Sequence, residues 1–247
     1  MNKVLCRQLA LDYCCSEEDV LDGRNHFTVH RFLDGRRRFQ EGKECFLKAA
    51  VVNGKLLFSG REPILNWCEL QYGNTGGEWF FEAKNLKVLN DRLQEDGRRI
   101  ETVHPFYIAE TPSAAEARAC DIRWYEGAEI EQFRGDSRYG EAFAFCEDAP
   151  DVIGVAALRA REIIGMAGAS ADSPAMWQIG INVDPGPRCA GVGTTLVALL
   201  KNELLRRGIL PYYGTSMSHI ASQRVALGAG FVPAWAELVT SEIGDKV

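Results

Sequence analysis

The residues with the clearest chemical potential form a glycine turn between an apolar run and a helix. After residues 177–183, which read as a strand, the chain continues Asp184-Pro185-Gly186-Pro187-Arg188-Cys189-Ala190-Gly191-Val192-Gly193-Thr194-Thr195. It then turns helical, with Leu196, Leu199, Leu200, Leu204 and Leu205 at helical spacing. Where a strand enters a helix through such a turn, the first helix amides have no acceptor within the helix and point outward at the positive end of its dipole. That arrangement seats a phosphate or pyrophosphate. A side chain would block the close approach, so Gly191 and Gly193 suit the place, and Arg188 adds a cation able to engage phosphate oxygens. Cys189, Ala190, Val192 and Thr194 are the other residues of this turn and of the first helical positions. A thiolate is favoured at a helix N-terminus. Cys189 has no evident histidine or acidic partner in the local sequence, however, and is read as a variable position of the turn.

The elements around this turn must position it. Residues 152–158 and 163–169 are two apolar strand-like runs joined by the polar residues 159–162, and the strand at 177–183 follows at once. Three consecutive strands predict an antiparallel meander ahead of the turn, unlike the alternating order of a dinucleotide-binding fold. The spacing is also not G-x-G-x-x-G, Glu203 falls too early to bind a ribose, and no triphosphate-binding G-x-x-x-x-G-K-[ST] is present. Upstream, residues 122–125 read as a strand, 129–133 as a short helix and 141–146 as extended chain. Residues 210–216 read as a further strand beyond the helix.

The first part of the chain, to about Tyr107, has its own pattern. Residues 45–52, the turn signal Asn53-Gly54 and Leu56-Leu57-Phe58 predict a hairpin. Pro63 opens a helix with an apolar face running to Tyr72. Trp79-Phe80-Phe81 reads as an aromatic strand, and residues 85–93 as a helix ended by Gly97. Residues 110–119, rich in small and charged side chains, suggest a boundary. The expected organisation is an α/β domain at 1–115, with a possible role in acceptor recognition, followed by a second domain at 116–247.

Arg188-Cys189-Ala190-Gly191-Val192-Gly193 resembles the Q/R-x-x-G-x-G/A signature of GNAT acyltransferases, and residues 222–231, ending in Gly230-Phe231, resemble that family's following helix with its closing Gly-Phe. The resemblance covers about 90 residues, from Asp151 to Glu242. Residues 177–183, Pro211-Tyr212-Tyr213 and residues 231–235 look like a bacterial GNAT subgroup with an N-terminal extension similar to residues 77–82 and Asn85-Leu86. It implies an α/β (α+β) fold with a mixed, mostly antiparallel sheet of the acyl-CoA N-acyltransferase type. It also implies acetyl-CoA as co-substrate, with pantetheine in a gap bordered by Ile181, Asn182 and Val183 on one side and the strand near Tyr212 on the other.

The implied reaction is direct attack of an amine on the acyl thioester, which needs a group to accept a proton and a group to supply one. Many family members place a tyrosine five residues before the Gly-Phe phenylalanine, where this chain has Ala226. A glutamate base on the strand before the turn is frequent, but residues 177–183 offer only Gln178. His219 stands where the family often carries asparagine, and it is read as a base or cofactor contact, or simply as a helix cap. Tyr213, with Tyr212 beside it, is a candidate proton donor. Ser222 is a candidate cofactor contact, while Ser216 and Ser218 serve equally as turn-formers.

Composition bounds the alternatives. The chain has 247 residues, 46% of them hydrophobic and 25% charged, and no window reaches a membrane span. A net charge of −6 argues against nucleic-acid binding, and Arg36-Arg37-Arg38 reads as a solvated helix face. Eight scattered cysteines lack C-x-x-C pairs, and His26, His30 and His104 match no metal spacing, so free thiols and no metal are expected. With no signal-peptide core, a cytoplasmic monomer or homodimer acting on a small-molecule or peptide amine is expected. The competing reading is a non-catalytic module that keeps the fold and binds CoA or another ligand.

Overall fold

A computed structural model describes residues 1–37, 45–115, 120–185 and 191–244. They group into two compact units, Met1–Phe106 with Ala234–Val247, and Tyr107–Pro233. The change of unit lies nine residues before the expected boundary at 115, and the segment from Ala234, expected in the second domain, groups with the first unit. In chain order the elements are α1 (Lys3–Asp12), α2 (Glu17–Leu21), β1 (His26–Val29), β2 (Leu47–Val52), β3 (Lys55–Gly60), α3 (Glu62–Tyr72), α4 (Ala83–Glu95) and β4 (Arg98–Ile108). They continue with β5 (Asp121–Glu126), β6 (Asp151–Arg159), β7 (Glu162–Ser170), β8 (Met176–Val183), α5 (Val192–Arg206), β9 (Leu210–Gly214), α6 (Ile220–Gly228) and β10 (Val232–Glu242).

In the first unit the strand order is β1-β3-β2-β10-β4. The predicted hairpin forms between β2 and β3. Val52 pairs with Lys55, and Asn53 and Gly54 both take positive φ, as a two-residue turn requires. Pro63 lies in the first turn of α3, and Gly97 follows α4 with φ +68°. Trp79-Phe80-Phe81 is not a strand: Gly77–Trp79 is a 3-10 turn. Gly77 lies against the backbone of Gly54 and Lys55, and Phe80 is inserted edge-on between Phe58 and Tyr72. A large aromatic with somewhere to be buried overrides the local strand preference.

Arg37 also departs from expectation, because it is buried and not on a helix. Its backbone amide donates to Asp12 Oδ1 at 2.7 Å, its Nε pairs with Asp12 Oδ2 at 2.5 Å, and its Nη2 pairs with Glu237. Burial of a guanidinium is tolerated here because two buried carboxylates meet its fork. Arg38 lies outside the described residues.

In the second unit the strand order is β9-β8-β7-β6-β5. Strands β5 to β8 pair antiparallel, as the predicted meander requires, and β9 joins β8 in parallel after the α5 crossover. Alternation along the strands divides the sheet into two faces. One carries Val155, Ala167, Ala169 and Ile179, packed under α5 through Val192, Leu196 and Leu200. Each fully buried leucine of that helix contributes about 1.5–3 kcal/mol, and an acidic residue at Leu200 would break the layer. The other face carries Ala156 and Met166 beneath Tyr139, Ala142 and Phe143.

A row of glycines crosses this second face, with Gly154 opposite Gly168 and Gly168 opposite Gly180 on neighbouring strands. A Cβ at Gly168 would lie 2.0 Å from the carbonyl oxygen of Ala142, and one at Gly180 would lie 1.8 Å from that of Glu141. The glycines form a trench in which the chain at 141–143 is seated directly on the sheet.

Candidate functional site

The α5 N-terminus has the expected geometry. Gly191 is its N-cap, with φ +83° and open space where a Cβ would stand. The first helical bond runs from Thr195 N to Gly191 O, so the amides of Val192, Gly193 and Thr194 have no acceptor within the helix. Neither a capping side chain nor an acidic residue competes for that turn among the described residues. Gly193 brings the helix close to Val183 and Ile181, so the cradle opens at the end of β8. Arg188, Cys189 and Ala190 lie outside the described residues.

Strands β8 and β9 pair only at Met176–Leu210, Trp177–Pro211 and Gln178–Tyr212. Beyond that point the two strands part, which leaves Ile181, Asn182 and Val183 without a β9 partner on that side. This is the splayed gap that an extended, amide-containing ligand can enter by pairing with free strand groups.

The remaining candidates fall into two groups. Tyr213, just past the last paired position, is buried, and its hydroxyl is 2.8 Å from Ser222 Oγ on α6. Burial raises its pKa, the Ser222 bond opposes that shift and the nearby Glu141 carboxylate adds to it, so the phenol keeps its proton at neutral pH. His219 is the N-cap residue of α6 but makes no side-chain capping bond; the ring is exposed and uncommitted among the described residues. Ser216 and Ser218 bond to each other at 3.1 Å in the loop before α6.

Two carboxylates near the gap escaped the sequence reading. Asp172, in the β7–β8 turn, accepts from the Tyr212 hydroxyl at 2.5 Å, and that hydroxyl is 3.2 Å from Gln178 Oε1. Asp172 and Tyr212 are buried, so this network closes the base of the gap. Glu141 is the second. Its backbone amide donates to Asn182 Oδ1 at 2.9 Å, the Ala142 amide donates to the same oxygen at 2.8 Å, and its carbonyl lies on Gly180. The Asn182 side chain is therefore engaged with this segment, while its place beside the gap is kept by the backbone of β8.

Elsewhere, Asp19, Asp22 and His26 present atoms within 4.8 Å of one another, a spacing a metal could use. Asp22 is already engaged by His26 Nε2 at 2.9 Å and Lys55 Nζ at 3.0 Å, so the group works as an ion network joining α2 to β1 and β3. The seven cysteines among the described residues form no disulfide with one another. No described helix is long and apolar enough to cross a membrane.

Residues 117–231 match the sequence model of the acetyltransferase (GNAT) family. The chain carries a GNAT acetyltransferase domain. A GCN5-related N-acetyltransferase from Sphaerobacter thermophilus is similar over 98% of this chain and 93% of its own, at 15% identity and a TM-score of 0.51, a likeness of fold. A GCN5-related N-acetyltransferase-like protein from Streptococcus suis 89/1591 is 14% identical over 85% of this chain and 89% of its own, with a TM-score of 0.49. The aminoglycoside N-acetyltransferase AAC(6')-Iy, solved in complex with CoA, is 26% identical over 45% of this chain and 91% of its own, with a TM-score of 0.34. No curated protein matches the chain. The match over residues 117–231 supports acyl transfer as the class of activity of this domain.

Proposed function

We propose that this protein is an N-acyltransferase that moves an acetyl group from acetyl-CoA to a primary amine by direct attack. The observation that carries the reading is the conjunction of two features at one end of the sheet. The β8–β9 pairing stops at Gln178–Tyr212, and the α5 turn with its unpaired amides stands at the far end of the same gap. Pyrophosphate is assigned to the amides of Val192, Gly193 and Thr194, with Arg188 as a further cation, and pantetheine to the edge of β8 from Ile181 to Val183. The thioester then lies toward the closed base of the gap. His219 and Ser222 border the cofactor's path, and Tyr213 holds a proton beside it.

The reaction forms a C–N bond as the C–S bond breaks, so a productive site must align the amine with the thioester and stabilise the carbonyl oxygen. A second reading, a module that binds CoA without turnover, draws support from Ala226, which is fully buried where the family often has its tyrosine. The two readings separate by turnover. Thiol release from acetyl-CoA with cadaverine, benzylamine and a single-lysine peptide supports transfer; saturable acetyl-CoA binding with no thiol release from any of them supports the module.

A further inference from the structure

The sequence supplies no carboxylate on the strand before the glycine turn, yet an amine must lose a proton before it can attack. Free primary amines are ammonium ions at neutral pH, because an aliphatic ammonium of the lysine type titrates near pH 10. A neutral imidazole such as that of His219 can accept the proton, but only an anionic group that is open to solvent and not committed to another cation also binds the ammonium by charge.

Glu141 meets these conditions by position. Its carbonyl rests on Gly180, two residues past the last β8–β9 pair, and Asn182 Oδ1 holds the amides of Glu141 and Ala142 together. The residue is exposed, and its carboxylate makes no hydrogen bond or ion pair among the described residues. Tyr213 of β9 packs its ring on the α5 face, and the Glu141 charge contributes to raising its pKa after the larger effect of burial. Asp172, the other carboxylate nearby, is buried and bonded to Tyr212, which leaves it no room to receive a cation from solvent. The glycine trench explains the precision: with any side chain at Gly180, the chain at 141 could not approach the sheet.

Resting on the N-acyltransferase reading, we infer that Glu141 is the carboxylate that binds the acceptor's ammonium beside the acyl-CoA gap and takes its first proton, and that Asn182 and Gly180 position it. The substrate class is a primary amine that arrives protonated. One proton passes from the ammonium to the Glu141 carboxylate, and the freed lone pair forms the C–N bond to the thioester carbon. The C–S bonding pair leaves on sulfur, and the second N–H proton neutralises the CoA thiolate. Glu141 then returns its proton to water.

The test compares wild-type protein with Glu141→Gln and Glu141→Asp, measuring acetyl-CoA affinity by calorimetry and thiol release with cadaverine and benzylamine. The expected result is unchanged acetyl-CoA affinity in both variants, which also certifies their folding, with kcat/KM reduced about 100-fold in Glu141→Gln and less in Glu141→Asp. Wild-type rates in Glu141→Gln overturn the assignment and leave the transferase reading intact. A wild-type protein that binds acetyl-CoA but transfers to neither of these amines nor to the single-lysine peptide overturns both.

Discussion

The side-chain oxygen of Asn182 accepts the backbone amide of Glu141 at 2.9 Å across 41 residues of sequence, which fixes one wall of the β8–β9 gap to the chain that seats on it. Asn182→Ala leaves the amides of Glu141 and Ala142 without their acceptor. The expected cost is about 1–3 kcal/mol in urea unfolding. If Asn182 acts by positioning Glu141, the variant also lowers kcat for cadaverine while acetyl-CoA affinity holds. A loss of stability with unchanged kcat would confine Asn182 to a structural role.

The trench predicts intolerance to a single methyl group. Gly168→Ala and Gly180→Ala each place a Cβ within 2.0 Å of a backbone oxygen, where no rotamer change can relieve the clash. Each is expected to cost about 1–3 kcal/mol by displacing the 141–143 segment. Gly208→Ala is the contrast, since its Cβ position is open and only its φ of +77° opposes the change. Thermal unfolding ranks the three, and equal midpoints for Gly180→Ala and wild type would show that the segment does not rest on the sheet.

Arg37→Met removes the only described cation paired to both Asp12 and Glu237, leaving two buried carboxylates without it. Breaking a buried ion network from one side costs about 3–5 kcal/mol. Chemical denaturation measures this, and a change below about 1 kcal/mol would mean that water reaches the carboxylates.

Stability should fall in mild acid. Burial, followed by the charges of Lys48 and Arg36, lowers the His30 pKa from 6.5 to about 4, and burial lowers that of His104. For a depressed histidine the unfolded chain binds the proton first, so stability is intact above pH 6.5 and declines as pH falls toward 4. Carboxylates with depressed pKa values, such as Glu203 at about 2, add their loss at lower pH. Urea midpoints at pH 7, 5.5 and 4.5 should decrease in that order, with a shallower decrease in His30→Gln. Identical slopes for the two proteins would assign the acid sensitivity elsewhere.

Much of the fold was legible because the signals are local. Asn53-Gly54 marked its hairpin, Pro63 its helix, and the apolar runs at 152–158 and 163–169 their antiparallel pair. Strand β4 was not anticipated, since Arg98, Arg99, Glu101 and His104 break the apolar alternation and Pro105 interrupts the run. Arg37 looked like a solvated charge because its partners, Asp12 and Glu237, lie far away in the sequence. Among candidate site residues, the Gly191 turn followed from its own spacing, whereas Glu141 and Asp172 depend on contacts with distant strands. A signal for Glu141 did exist: three glycines inside predicted strands, Gly154, Gly168 and Gly180, mark a close backbone approach even before its partner is known.

The most direct test of the account is calorimetric titration with acetyl-CoA of the wild type and of Gly191→Asp, which sets a carboxylate at the N-terminus of α5. The account predicts micromolar binding by the wild type and its loss in the variant, because the new charge takes the place assigned to pyrophosphate. Equal affinity in both proteins would place the cofactor elsewhere, and no binding to the wild type would contradict an acyl-CoA site in this gap.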